Sequence, residues 1–171
     1  MAGTTSKQLK EYARRHIGRS FLGVFAADML PRNTPSICSL IVNLDPISGV
    51  LLHVRGGGSK VRHGSHWVAI KLRGAGLPAL FGDSYGHPPS SSAEGKILHV
   101  HDHFKKWLNR HAPAGYVYNH LRIQAWGSNV CGLYSLYFCR YGIPSTQPVA
   151  FAWVTDDRKR NDTIIRGKIK L

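Results

Sequence analysis

Between Asn129 and Gly142 the sequence runs Val-Cys-Gly-Leu-Tyr-Ser-Leu-Tyr-Phe-Cys-Arg-Tyr, with Arg140 its single charge. Ser128 or Asn129 is placed to cap a helix here, and Gly142 with Pro144 to end it. A helix that is apolar round nearly its whole circumference is a buried helix, so other elements must cover it on several sides. The chain has 171 residues, enough for one domain and a core of ordinary size.

The covering elements are legible upstream. Residues 6–17 read as a short basic helix with Leu9, Tyr12, Ala13 and Ile17 on one stripe. Residues 21–25 are apolar, and the Pro31–Pro35 stretch breaks what precedes it. Strands are expected at 37–44, at 50–54 after a turn at Pro46–Gly49, at 66–72 and at 79–83. Pro88–Ser92 reads as a linker. Ser91 and Glu94 resemble a capping box, and Ile97, Val100, Phe104, Trp107 and Leu108 follow at helical spacing, so 93–110 reads as an amphipathic helix. Residues 116–123 alternate and place Val117, Leu121 and Ile123 toward one face of a strand. The order is helix, strands, helix, strand, apolar helix. It predicts a single α+β domain with helices packed on a mixed central sheet. Residues 156–171 are charged and weakly patterned and read as a basic C-terminal tail.

The formal net charge is +14, from 23 Lys+Arg against 9 Asp+Glu. A hydrophobic share of 43% excludes a disordered basic tail of the histone kind. Counterion release makes so basic a surface a match for nucleic acid, bound without sequence choice. A highly charged, merely soluble surface is the plainer reading. Zinc-finger, RNP and helix-turn-helix signatures are missing. No apolar run is long enough to span a membrane, and the first twenty residues carry no secretory pattern, so a non-secreted protein is expected. Cys38, Cys131 and Cys139 form no disulfide framework and read as free thiols, with Cys38 and Cys139 in the core. The Gly-rich stretch 55–60 lacks the P-loop pattern and reads as a hairpin loop. His99, Asp102 and His103 share a helical face, but the remaining ligands are missing, so a solvated polar face is expected and no metal.

Cys131 is the residue that points to chemistry. In the first turn of a helix, unpaired N–H groups and the helix dipole stabilise a thiolate. Gly132 lets another chain come close to the sulfur. A nucleophilic thiol needs a base, and the base an orienting group. His66, at a strand start, and Asp83, at the end of the next strand, lie where neighbouring strands bring their ends together. Gln124, at the end of the strand before the Cys131 helix, is placed to donate to an oxyanion with the Cys131 N–H. Each has a plainer reading: a small buried hydrophobe, an ordinary polar residue and a turn residue.

Gly64-Ser65-His66-Trp67, Asp83 and Gln124…Ser128-Asn129-Val130-Cys131-Gly132-Leu133 resemble the adenovirus protease family, the adenain-type cysteine peptidases. Their clan includes the SUMO-deconjugating proteases. Phe21-Leu22-Gly23 and Ile41-Val42-Asn43 are also similar to segments of that family, and the resemblance covers roughly residues 20–140. It implies one cysteine protease domain over 1–171, with Cys131 as nucleophile, His66 as general base and acid, Asp83 orienting His66, and Gln124 as oxyanion donor. Trp67 would lie beside the histidine. Adenoviral members carry Glu where this chain has Asp83, and they are longer after the cysteine. The order His, Asp, Gln, Cys is not that of papain-like enzymes.

The resemblance further implies an endopeptidase that cleaves viral precursor proteins near Gly-containing sites during virion maturation. Such an enzyme acts in the virion and the host cell nucleus, as a monomer, with DNA and a peptide as activators. Residues 111–123 contain no cysteine, so a disulfide-linked peptide is not expected at the family's usual position. Two alternatives are a protease acting on ubiquitin or SUMO-like modifiers, and a non-catalytic basic DNA-packaging protein on the same fold.

Overall fold

The computed structural model describes residues 4–44, 51–54, 58–61, 66–74, 76–89 and 98–171. Helix α1, Ser6–His16, opens with a capping box: Thr5 Oγ1 accepts from Gln8 N at 3.3 Å, and Gln8 Oε1 accepts from Thr5 N at 2.9 Å. Its buried stripe is Leu9, Tyr12 and Ala13, and Arg14, Arg15 and His16 sit in its last turn, where the helix dipole favours cations.

Strands β1 (Phe21–Ala26), β2 (Ile37–Asn43), β5 (Trp67–Arg73), β6 (Ala79–Gly82) and β7 (Tyr116–Tyr118) form one mixed sheet in the order β1-β2-β5-β6-β7. The two outer pairs are parallel and the two central pairs antiparallel. Strands β3 (Leu51–Val54) and β4 (Gly58–Val61) pair as a separate antiparallel hairpin. Gly58–Lys60, read from sequence as loop, therefore belong to β4. The expected turn at 46–49 and the capping box at 91–94 lie outside the described residues.

The central strands are buried on both faces. Leu40, Val42, Val68 and Ile70 pack on one side with Phe104, Trp107 and Leu108 of helix α2, Leu98–His111. Ile41 and Ala69 pack on the other side with helix α3, Cys131–Tyr141, whose residues 131–139 are all buried. The sheet lies under α3, and α1 and helix α4, Arg158–Lys168, pack against it as well. This is the α+β architecture with a mixed sheet and a buried helix that the element order predicts. Among the described residues no helix is long and apolar enough to cross a membrane.

Three expectations need correction. The strand expected over 116–123 stops at Tyr118. Asn119 turns its amide to the backbone of Asp83, and Leu121, expected to face inward, is 63% exposed. Gln124 consequently sits in a loop rather than at a strand end. Second, neither Ser128 nor Asn129 caps α3. Val130 occupies the cap position without a side-chain hydrogen bond. Ser128 is engaged by Gln124, and Asn129 Oδ1 accepts from Arg166 at 2.9 Å. Third, the weakly patterned end of the chain forms α4, capped by Asp157 and burying Asn161, Asp162, Ile165 and, just beyond it, Ile169. Its apolar positions are too few to stand out against the charges, yet they fall on one face.

Candidate active site

His66 directly precedes β5 and Asp83 directly follows β6. The antiparallel register, with Ala69 opposite Gly82, brings the two ends together. His66 Nε2 lies 2.7 Å from Asp83 Oδ1. That carboxylate is 1% exposed by residue and is held in place from several sides. Oδ1 also accepts from Tyr85 N at 2.8 Å, and Asp83 N donates to Asn119 Oδ1 at 2.8 Å. Asn119 Nδ2 donates back to Asp83 O at 2.5 Å. His87 Nδ1 stands 3.8 Å from the other carboxylate oxygen.

With Nε2 committed to Asp83, His66 Nδ1 is buried with no formed hydrogen bond and looks toward the Cys131 thiol. Burial opposes a charge on His66. The hydrogen bonds and negative charge offered by Asp83 and Cys131 outweigh it and raise the imidazole pKa to about 10. The imidazolium is the favoured form at neutral pH. Cys131 opens α3, so its N–H has no acceptor within the helix. Cys38 and Cys139 differ in kind. Burial pushes their thiols up, to about 11 and about 12, and their sulfurs donate to Pro35 O and Leu40 O. All three cysteines are free.

Gly132 is approached by another part of the chain, and that part is Thr4. A Cβ at position 132 would lie 2.8 Å from Thr4 Cβ. Trp67 Nε1 donates to Thr4 O at 3.1 Å, so the residue after His66 and the residue after Cys131 meet on the entry to α1. The ring seen against His66 is that of Tyr85, at 5.0 Å between centroids.

Gln124 is fully buried. Its Oε1 accepts from Ser84 Oγ at 2.5 Å, and its Nε2 faces Ser128 O at 2.8 Å, Ser128 Oγ at 2.9 Å and Tyr85 Oη at 3.3 Å. Helix α4 braces the peptide groups on either side of it. Asn161 Nδ2 donates to Ile123 O at 3.2 Å, and Asp162 Oδ2 accepts from Ala125 N at 3.3 Å. Tyr134 Oη joins both, at 3.1 Å from Ile123 O and 3.0 Å from Asp162 Oδ1. Burial first, then the Asp162 charge, raises the Tyr134 phenol well above its ordinary range, so it stays a donor.

Four side chains singled out in the sequence thus occupy one neighbourhood. Tyr85, Asn119, Asn161 and Asp162 were not singled out. Asn119 had a signal, a polar residue within an alternating run. Tyr85 had only its place two residues after Asp83. Among the described residues no group of His, Cys, Asp and Glu is arranged to hold a metal ion. His99 and Asp102 lie in the first turns of α2, where side chains are outside the described set, and His103 is exposed.

Taken by itself, the arrangement is a thiol, an imidazole and a carboxylate brought together between the ends of two interior strands and a helix N-terminus. No protein-family model and no curated protein sequence matches the chain. Among solved structures it is similar to the one titled "Crystal Structure of ASFV pS273R protease", with a TM-score of 0.48 and 14% identity. The match covers 94% of this chain and 65% of that one.

Proposed function

We propose that this chain is a cysteine peptidase with Cys131 as nucleophile, His66 as general base and acid, and Asp83 as the group that orients His66. One observation carries the reading: His66 gives Nε2 to a buried carboxylate at 2.7 Å and turns an unpartnered Nδ1 toward a thiol at a helix N-terminus. That is the relation a thiolate–imidazolium pair needs. Cys131 Sγ attacks a peptide carbonyl, and charge develops on its oxygen beside the Cys131 N–H and the Gln124 side of the cleft. His66 passes its proton to the leaving amine, and water then releases the acyl group from sulfur. The chemistry calls for no metal or organic cofactor.

The finer reading rests on the resemblance in the motifs around His66, Gln124 and Cys131. It takes viral precursor proteins cut near glycine as substrates and virion maturation in the host nucleus as the setting. The charge of +14 supports an accompanying polyanion such as DNA. Lys7, Lys10, Arg14 and Arg15 on α1 and Lys159, Arg160 and Arg166 on α4 are exposed.

The test is the rate of Cys131 alkylation by iodoacetamide across pH 5–9, in wild type and His66→Ala, each with and without double-stranded DNA. A rate that persists in wild type at pH 6 and collapses there in His66→Ala is expected. Identical profiles in the two proteins, with DNA present, would refute the catalytic reading.

A further inference from the structure

A glutamine serves as an oxyanion donor only with its amide the right way round, because a half-turn about the last bond exchanges donor for acceptor. Ser128 O accepts and cannot donate, so the end of the Gln124 amide 2.8 Å from it is Nε2. Oε1 then faces the other way and, in a fully buried side chain, needs a donor there. Among the described residues that donor is the Ser84 hydroxyl, at 2.5 Å and buried as well. The Ser84 carbonyl also accepts from Ile123 N at 2.9 Å and from Gln124 N at 3.1 Å. Ser84 therefore holds the 123–124 segment by its backbone and the Gln124 amide by its side chain.

We propose that Ser84 is the positioning residue for the oxyanion donor, Gln124, and acts on the reaction through that amide alone. This rests on the cysteine peptidase reading above, with Gln124 on the oxyanion side of the cleft. The hydroxyl does two things. It pins Oε1, so that Nε2 keeps its direction, and a donor fixed beforehand needs no reorganisation when charge develops. It also polarises the amide, because accepting at Oε1 strengthens the Nε2 hydrogens as donors. One of those hydrogens goes to Ser128 O. The other is shared between two neutral hydroxyls, Ser128 Oγ at 2.9 Å and Tyr85 Oη at 3.3 Å, which a charged acceptor outcompetes. Ser84 directly follows Asp83, whose Oδ1 lies 2.7 Å from His66 Nε2 and whose backbone N–H and C=O are both held by the Asn119 amide. Two consecutive residues thus set the two arms of the chemistry, the first the base and the second the oxyanion donor.

Two probes separate this role from a structural one. Acylation of Cys131 by p-nitrophenyl acetate passes through a tetrahedral oxyanion, whereas alkylation by iodoacetamide is a displacement at carbon with none. In Ser84→Ala, acylation should slow by about 10-fold, below the ceiling of about 10²-fold that deleting the donor in Gln124→Ala sets. The pH profile of alkylation should match wild type, because His66 and Asp83 keep their contact. Ser84→Thr, which retains the hydroxyl, should restore acylation. In the Gln124→Ala background, Ser84→Ala should cost nothing more. Acylation unchanged in Ser84→Ala overturns the proposal. So does equal loss with both probes, which marks a structural residue, and so does a full additional loss in the Gln124→Ala background. In each of these cases a wild-type alkylation profile that depends on His66 leaves the peptidase reading standing. A wild-type Cys131 acylated no faster than in His66→Ala overturns both.

Discussion

Gly82→Ala puts the spacing between the sheet and α3 to the test. Gly82 ends β6, one residue before Asp83, and faces Phe138 on the helix that Cys131 opens. An alanine Cβ there would lie 2.5 Å from Phe138 Cδ2, 2.6 Å from Cγ and 2.9 Å from Cβ. Non-bonded carbons rest at about 3.5–4.0 Å, so the contact must open by roughly 1 Å. Turning the ring cannot relieve it, because Phe138 Cβ is part of the clash and moves with the backbone. The ring is also packed between Tyr134 and Phe151, with centroids 6.4 and 5.7 Å away. The helix itself must lift, and Cys131 lifts with it, away from His66 and Asp83. Overpacking of this kind costs about 1–3 kcal/mol. For a chain of this size that lowers Tm by roughly 2–12 °C. A displacement of about 1 Å at the reacting atom slows catalysis by about 10²-fold. Calorimetry and the rate of Cys131 acylation by p-nitrophenyl acetate read the two effects. Gly167→Ala is the control: nothing lies within 4 Å of its Cβ position in α4, and it should stabilise by about 0.5–1 kcal/mol. The reasoning fails if Gly82→Ala stays within about 0.5 kcal/mol of wild type. It fails equally if the variant loses stability while acylation is unaffected.

His66 has its pKa raised in the folded state, so the stability it contributes is fully present below its unfolded value of about 6.5. That contribution is lost as pH climbs toward about 10. Urea unfolding from pH 6 to 10 should therefore show a decline in wild type that His66→Gln lacks, and parallel curves would contradict the assignment. With Cys38 and Cys139 buried and their thiols pushed up, a disulfide reagent at pH 8 should titrate one thiol in native protein and three in guanidinium. A second fast thiol in the native state would count against this. Asp162→Asn keeps an acceptor for Ala125 N–H and lets Tyr134 donate to Ile123 O, so it should cost under about 1 kcal/mol. Asp162→Leu leaves that N–H unpaired, and should cost about 1–3 kcal/mol and slow acylation. Equal behaviour of the two variants would show that the carboxylate does not brace Gln124.

The parts of this molecule that repeat a pattern were legible in its sequence. The stripe of α1, the largely apolar run of β2 and the charge-poor α3 each carry a pattern that burial imposes. His66 and Asp83 were readable because antiparallel neighbours bring known ends together. What escaped was set by contacts remote in sequence. Asn119 leaves its strand because Asp83, 36 residues away, needs its backbone satisfied. The first turn of α3 is uncapped because Gln124 and Arg166 claim Ser128 and Asn129. Helix α4 is short of apolar residues because its inward face carries Asn161 and Asp162, which hydrogen-bond to a loop instead of filling a core. Apart from the Gln124–Ser128 contact, four residues apart, no local window contains these partners.

The bracing by α4 also sets an order in time. A chain emerges from the ribosome N-terminus first and folds as its parts become available. Cys131, His66 and Asp83 are made well before Asn161 and Asp162, so the loop that carries Gln124 goes unsupported until α4 is synthesised. A nascent chain that had not yet reached α4 would hold Cys131, His66 and Asp83 beside an unbraced Gln124 loop.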